Sequence, residues 1–162
     1  MSPAITLIVG VVVGILVAVV VMVVIMRRQM VVPERSSKSF DATCEAVEAT
    51  VPGNDGWSFP IDSFDMSAKL AAKNGLPENI KRIRLYFLCK PSVARRVLGD
   101  TPKLSAIMPC SWSVYELSDG SVWISHMNIA MMSKMMGGTV GEAMAGVADA
   151  DARFLESILH EP

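Results

Sequence analysis

No acidic or basic side chain occurs before Arg27. All of the charge, 15 Lys and Arg against 16 Asp and Glu, falls in the remaining residues. The net charge of −1 excludes an electrostatic nucleic-acid binder, because neutralising phosphates takes a clustered basic face. Imidazole is scarce as well. Only His126 and His160 are present, so a Ser-His-Asp or Cys-His triad would have to be built on His126. The three cysteines, Cys44, Cys89 and Cys110, include no Cys-x-x-Cys-His spacing, which excludes covalently attached haem. There is no Walker loop, no dinucleotide glycine fingerprint and no His-Glu-x-x-His. At 162 residues with a single long apolar run, the chain is neither a multidomain enzyme nor a polytopic transporter.

That run is Ile5 to Met26, rich in Val, Ile and Leu, with Gly10 and Gly14 its two glycines. At about 1.5 Å per helical residue it spans roughly 33 Å, enough for a bilayer's hydrocarbon core. Its β-branched richness does not argue for strand, since a lone segment in lipid satisfies its backbone groups only as a helix. A cleaved signal peptide would need a basic start, a shorter apolar core and an Ala-x-Ala site, and none is present. Arg27, Arg28, Arg35 and Lys38 all follow the span. By the positive-inside rule they place the rest of the chain in the cytoplasm, beneath the cell (inner) membrane. Gly10 and Gly14 fit the small-xxx-small pattern that lets two helices approach, although glycine is also simply common in such helices. The expected division is a transmembrane anchor over 1–28, a juxtamembrane linker and entry strand over 29–38, and an α+β soluble domain over 39–162.

Within that domain, Met30 to Glu34 reads as the entry strand. Ser39 caps a helix whose apolar stripe is Phe40, Cys44, Val47 and Val51. Pro52 to Gly56 breaks it. Trp57 to Phe64 reads as a weak strand and Ser67 to Lys73 as a short helix stopped by Asn74-Gly75. Lys81 to Lys90 is the strongest strand, with Ile83, Leu85, Phe87 and Cys89 on one face and Arg84, Tyr86, Leu88 and Lys90 on the other. Pro91 opens the next helix. Ala106 to Leu117 and Ser121 to His126 form a hairpin about Asp119-Gly120. A Met-rich segment over Met127 to Met136 stops at Gly137-Gly138, and a capping box at Thr139 to Glu142 opens a last helix with Val140, Met144, Val147, Phe154 and Ile158 as its stripe. Strands in runs mixed with helices predict an α+β class, an antiparallel sheet packed against helices.

The stretch Leu85-Tyr86-Phe87-Leu88-Cys89-Lys90-Pro91, then Ala94, Ile107-Met108-Pro109-Cys110, Val114-Tyr115-Glu116 and Asp119-Gly120 resembles the family called domain of unknown function 302. That family's pattern runs from a strand ending in Cys-x-Pro, through a short helix, to a Leu-Pro-Cys-like turn and a Val-Tyr-Glu strand. Phe40 and Gly75 match its upstream aromatic and glycine, and the resemblance covers roughly residues 30 to 136. It implies a fold similar to the TATA-binding-protein-like α+β class, often dimeric, and it implies no activity. The departures are the apolar N-terminal run, Met108 where the family has Leu, and the methionines after His126.

The candidate chemistry is sulfur chemistry. Cys44 lies on an apolar stripe and reads as a core thiol. Cys89 and Cys110 are either core thiols or, if their strands are neighbours, a redox pair or a two-thiolate soft-metal site. Met127, Met131 and Met135 share one helical face, with Met132 and Met136 in the adjacent row. Together with His126 they would suit copper as Cu(I), or the His and Met axial ligands of a haem; otherwise they form an adaptable apolar surface. Asp149 and Asp151 read as the solvated face of the last helix, and Trp112, Trp123 and Tyr115 as core or the lining of a ligand cavity. The leading functional expectation is a single-pass, membrane-anchored accessory or binding subunit, non-enzymatic, contacting the bilayer and either itself, as a homo-oligomer, or a larger membrane partner. The alternative is a soft-metal, haem or thiol-redox module using Cys89, Cys110, His126 and the Met127–Met136 cluster.

Overall fold

In the computed structural model, which describes residues 2–73 and 75–160, the chain parts into two compact units between Met30 and Val31. The first is helix α1, Pro3–Gln29, with proline at its start and its only charges, Arg27 and Arg28, in its last turn. Cations there complement the helix dipole. Its stretch Leu7–Gln29 contains an 18-residue window with a mean hydropathy of 3.5, none of it buried. That helix is long and apolar enough to cross a membrane.

The second unit is α+β. Five strands form one antiparallel sheet in the order β1-β5-β4-β3-β2, where β1 is Val31–Ser36, β2 Phe64–Asp65, β3 Ile80–Leu88, β4 Cys110–Leu117 and β5 Val122–Met127. The centre of the sheet is the β3–β4–β5 meander, and Gly120, at φ +83°, supplies the left-handed residue that turns β4 into β5. β1 is an edge strand, which is why Pro33 is tolerated in it.

Helices α2 (Phe40–Thr50) and α6 (Gly138–His160) cover one face. Ser39 caps α2 as its sequence predicts, its hydroxyl accepting from the Ala42 amide. The stripe Phe40, Cys44, Val47 and Val51 is buried to the last member. It meets Tyr86, Leu88, Trp112, Val114, Val122 and Ile124 from the sheet and Phe154, Leu155 and Ile158 from α6. The covered face of β3 is therefore the one that carries the arginines. Tyr86 and Leu88 are buried, while Ile83, Leu85 and Phe87 on the more apolar face are only half-buried. Arg82 and Arg84 escape burial of charge by reaching acidic side chains: Arg82 pairs with Asp41 and Glu116 and lies 4.3 Å over the Phe40 ring, and Arg84 pairs with Glu48.

Several boundaries differ from expectation. The 57–64 segment is mostly loop, tied to the sheet by a bridge between Ser58 and Cys89, with only Phe64–Asp65 as strand. The following helix α3 is Met66–Ala71, capped by Asp65 rather than begun at Ser67. Asn74, half of its expected stop, lies outside the described residues; Gly75 is left-handed at φ +77°. β4 starts at Cys110, because Pro102–Ile107 winds into a 3-10 helix after α4 (Pro91–Asp100). α5 is Ile129–Met136, capped by Asn128, and α6 already begins at Gly138, so the Thr139–Glu142 box sits inside its first turn.

A sulfur-lined cavity beside a buried histidine and aspartate as the candidate functional site

At one end of the sheet, β3, β4 and β5 finish against α4, the 3-10 helix, α5 and α6, and a cavity of about 40 Å³ remains between them. Seven of its 18 lining residues carry sulfur: Cys89, Met108, Cys110, Met127, Met132, Met136 and Met144. The whole chain has only 12 Met and 3 Cys in 162 residues, so the cavity concentrates them about fourfold. The rest of the wall is apolar apart from Pro109 and one cation, Lys90, which pairs outward with Asp55.

Strand register sets the two cysteines at neighbouring strand ends, and both line the cavity. Leu88 pairs with Cys110 across β3 and β4, so Cys89, the next residue along, stands diagonally from it. The Cys89 backbone is fixed by paired hydrogen bonds of 2.9 Å to Ser58. Both thiols are free, and each is held protonated. Burial, together with the charge of Asp151 and the neighbouring Cys89, pushes the Cys110 thiol up to about 11, and burial raises that of Cys89. Neither has the electropositive surroundings of an activated nucleophile. Cys44 is elsewhere, buried under α2 beside Tyr86.

The remaining sequence-proposed ligands divide. Met127 lines the cavity. On α5 it is the Met132 and Met136 row that faces it, whereas Met131 is absent from the lining and Met135 is 60% exposed. Met144 and Met108, from α6 and the turn before β4, complete the wall. His126 is not in this wall. His126 lines the cleft beside α6 instead, and of these two neighbours only Met127 reaches the cavity.

His126 has a partner that the sequence reading put in solvent. Asp151 on α6 is buried, its Oδ2 2.8 Å from Nδ1 of His126 and its Oδ1 accepting the indole N–H of Trp112 at 2.7 Å. The imidazole contact is a close ion pair rather than a well-aligned hydrogen bond, and Nε2 has no hydrogen-bond partner among the described residues. Burial opposes charging of His126, but the contact and charge of Asp151, with Glu34, outweigh it and raise its pKa. A polar cleft lined by Glu34, His126, Asn128, Asp151, Glu156 and His160 opens beside the pair. One signal for Asp151 was present in the sequence. Val140, Met144, Val147, Phe154 and Ile158 follow a stripe whose vacant step is residue 151, and an acid on an apolar stripe needs a buried partner. Among the described residues, no three His, Cys, Asp or Glu side chains stand close enough to share a metal ion.

Trp112 is core, whereas Trp123 and Tyr115 are half-buried on the sheet face that α2 and α6 do not cover.

The model of a family described as "Domain of unknown function DUF302" matches residues 32–161, extending through α6. Among solved structures the chain is similar to an uncharacterized conserved DUF302 protein from Bacillus stearothermophilus, at 22% identity and a TM-score of 0.68, over 80% of this chain and 98% of that one. This likeness supports the fold. No curated protein matches.

Proposed function

The chain belongs to the DUF302 family, and from that premise we propose that it is a single-pass, membrane-anchored binding or accessory subunit without an enzymatic activity of its own. The observation that carries the reading is α1, an unburied helix with an 18-residue window of mean hydropathy 3.5 and cations in its last turn. Arg27, Arg28, Arg35 and Lys38 favour a cytoplasmic position for the second unit under the cell membrane. Gly10 and Gly14 leave one strip of α1 without side chains, which suits close pairing with a second copy or with a helix of a larger membrane partner. Against an enzyme stand the protonated thiols and the His126 Nε2, on which no hydroxyl or thiol is seated among the described residues.

The alternative cofactors fare differently. A cavity of about 40 Å³ is far too small for a haem macrocycle. Thiols with raised pKa values are poorly suited to exchange chemistry. A soft metal ion does fit the donor set.

Membrane fractionation tests the proposal. An alkaline carbonate wash should leave the chain in the pellet, mild detergent should release it, and intact mass should include α1. Recovery in the soluble fraction, or a mass shortened by the whole of α1, would overturn the anchor. Native mass in the same detergent should give a homo-oligomer or a complex of fixed stoichiometry; a lone monomer would remove the subunit reading.

A further inference from the structure

We propose that the sulfur-lined cavity is a Cu(I) site whose donors are the thiols of Cys89 and Cys110 with one or two thioethers drawn from Met127, Met132 and Met144. The inference rests on reading the second unit as a binding module and names its cargo. Three features of the cavity lead to it. The first is donor type: the wall offers sulfur and almost nothing else, with no imidazole, carboxylate or hydroxyl among its lining residues. Thioethers suit soft Cu(I), whereas a zinc or iron site built of sulfur alone takes four thiolates, and other zinc, iron and Cu(II) sites add imidazole or carboxylate; this wall has two thiols and neither of those groups.

Size is the second. At about 40 Å³ the space suits an ion held by its neighbours, and is far below the several hundred Å³ of a pocket for a drug-sized organic molecule. The third is the packing itself. Methionine normally serves as an adaptable filler of gaps, yet here five methionines surround a gap they leave open. Their flexible thioethers can close on an ion without moving the backbone.

Binding balances without any redox step. Each thiol that takes the metal releases one proton to solvent, so loading two sulfurs on Cu(I) leaves a local charge of −1, with Lys90 on the same wall as the nearest lining cation. No electron moves.

The test uses the full chain in mild detergent under reducing conditions, titrated with Cu(I) against a competing chelator. One Cu(I) should bind per chain, and copper X-ray absorption should give sulfur as the only coordinating element. Stoichiometric binding should be lost in the Cys89→Ser/Cys110→Ser double variant and weakened by Met132→Leu or Met144→Leu, which keep the volume. Cys44→Ala and His126→Gln should bind as the unaltered chain does. Thermal unfolding of every variant separates lost sites from lost folds, and the two Met→Leu variants keep the proposal testable should the double serine variant unfold. Copper uptake no greater than that of the double serine variant would overturn the site. Nitrogen in the coordination shell, loss of copper in Cys44→Ala, or unchanged affinity in both Met→Leu variants would overturn it too. Failure here with the chain still in the membrane pellet removes only the cargo; a soluble chain that binds copper removes only the anchor.

Discussion

At the scale of single residues, the most consequential side chain in the second unit is Asp151. A carboxylate at the vacant step of an apolar stripe is costly unless it is paired, and the indole N–H of Trp112 and the imidazole of His126 together supply the pairing. The pairing sets a pH dependence. His126 is charged more readily in the fold than in the open chain, so its contribution is fully present below the unfolded value of about 6.5 and disappears as pH rises through the higher native value. Urea midpoints should therefore fall between about pH 6 and about pH 8, a window below the titration of the free thiols. Both His126→Gln and Asp151→Asn should flatten that slope. An equal slope in all three proteins would mean that the pair is not the group responsible.

At the scale of elements, the α5–α6 corner holds the methionine wall in place. Gly137 and Gly138 turn the chain at φ +60° and +53°. One turn into α6, Gly141 lies so close to α5 that an added Cβ would stand 2.8 Å from the Ser133 carbonyl oxygen. That oxygen is backbone, so the two helices would have to move apart, and Met132 and Met144 with them. Gly141→Ala should destabilise the protein by about 1–3 kcal/mol, the usual cost of overpacking. Gly146 on the same helix has open space around it, and there alanine should be neutral or stabilising by about 0.5–1 kcal/mol. Calorimetry on the two variants measures both, and equal effects would rule out the close approach.

At the scale of the whole molecule, the proposed orientation of a membrane-spanning α1 rests on four cations, Arg27, Arg28, Arg35 and Lys38. Ser118 is exposed in the β4–β5 turn, so a cysteine put there labels without unfolding the protein. A membrane-impermeant thiol reagent should modify Ser118→Cys only after spheroplasts are opened. Labelling of intact spheroplasts would reverse the orientation, placing the second unit outside.

What the chain determined by itself is what depends on local order. The apolar helix follows from a long run free of charge, α2 from Ser39 and its stripe, the β4–β5 hairpin from Asp119-Gly120, and the α+β class from the order of elements. Those features need only neighbours in sequence, and their patterns were legible. The strand order β1-β5-β4-β3-β2, the cavity and the Asp151 pair depend on which strands lie side by side and which helix covers which face. Leu88 meets Cys110, and Trp112 meets His126, only once β3, β4 and β5 have paired in register. Likewise Met132 rather than Met131 lines the cavity because α6 fixes the roll of α5. A helix's periodicity tells which residues share a face, but not which face its neighbours will cover.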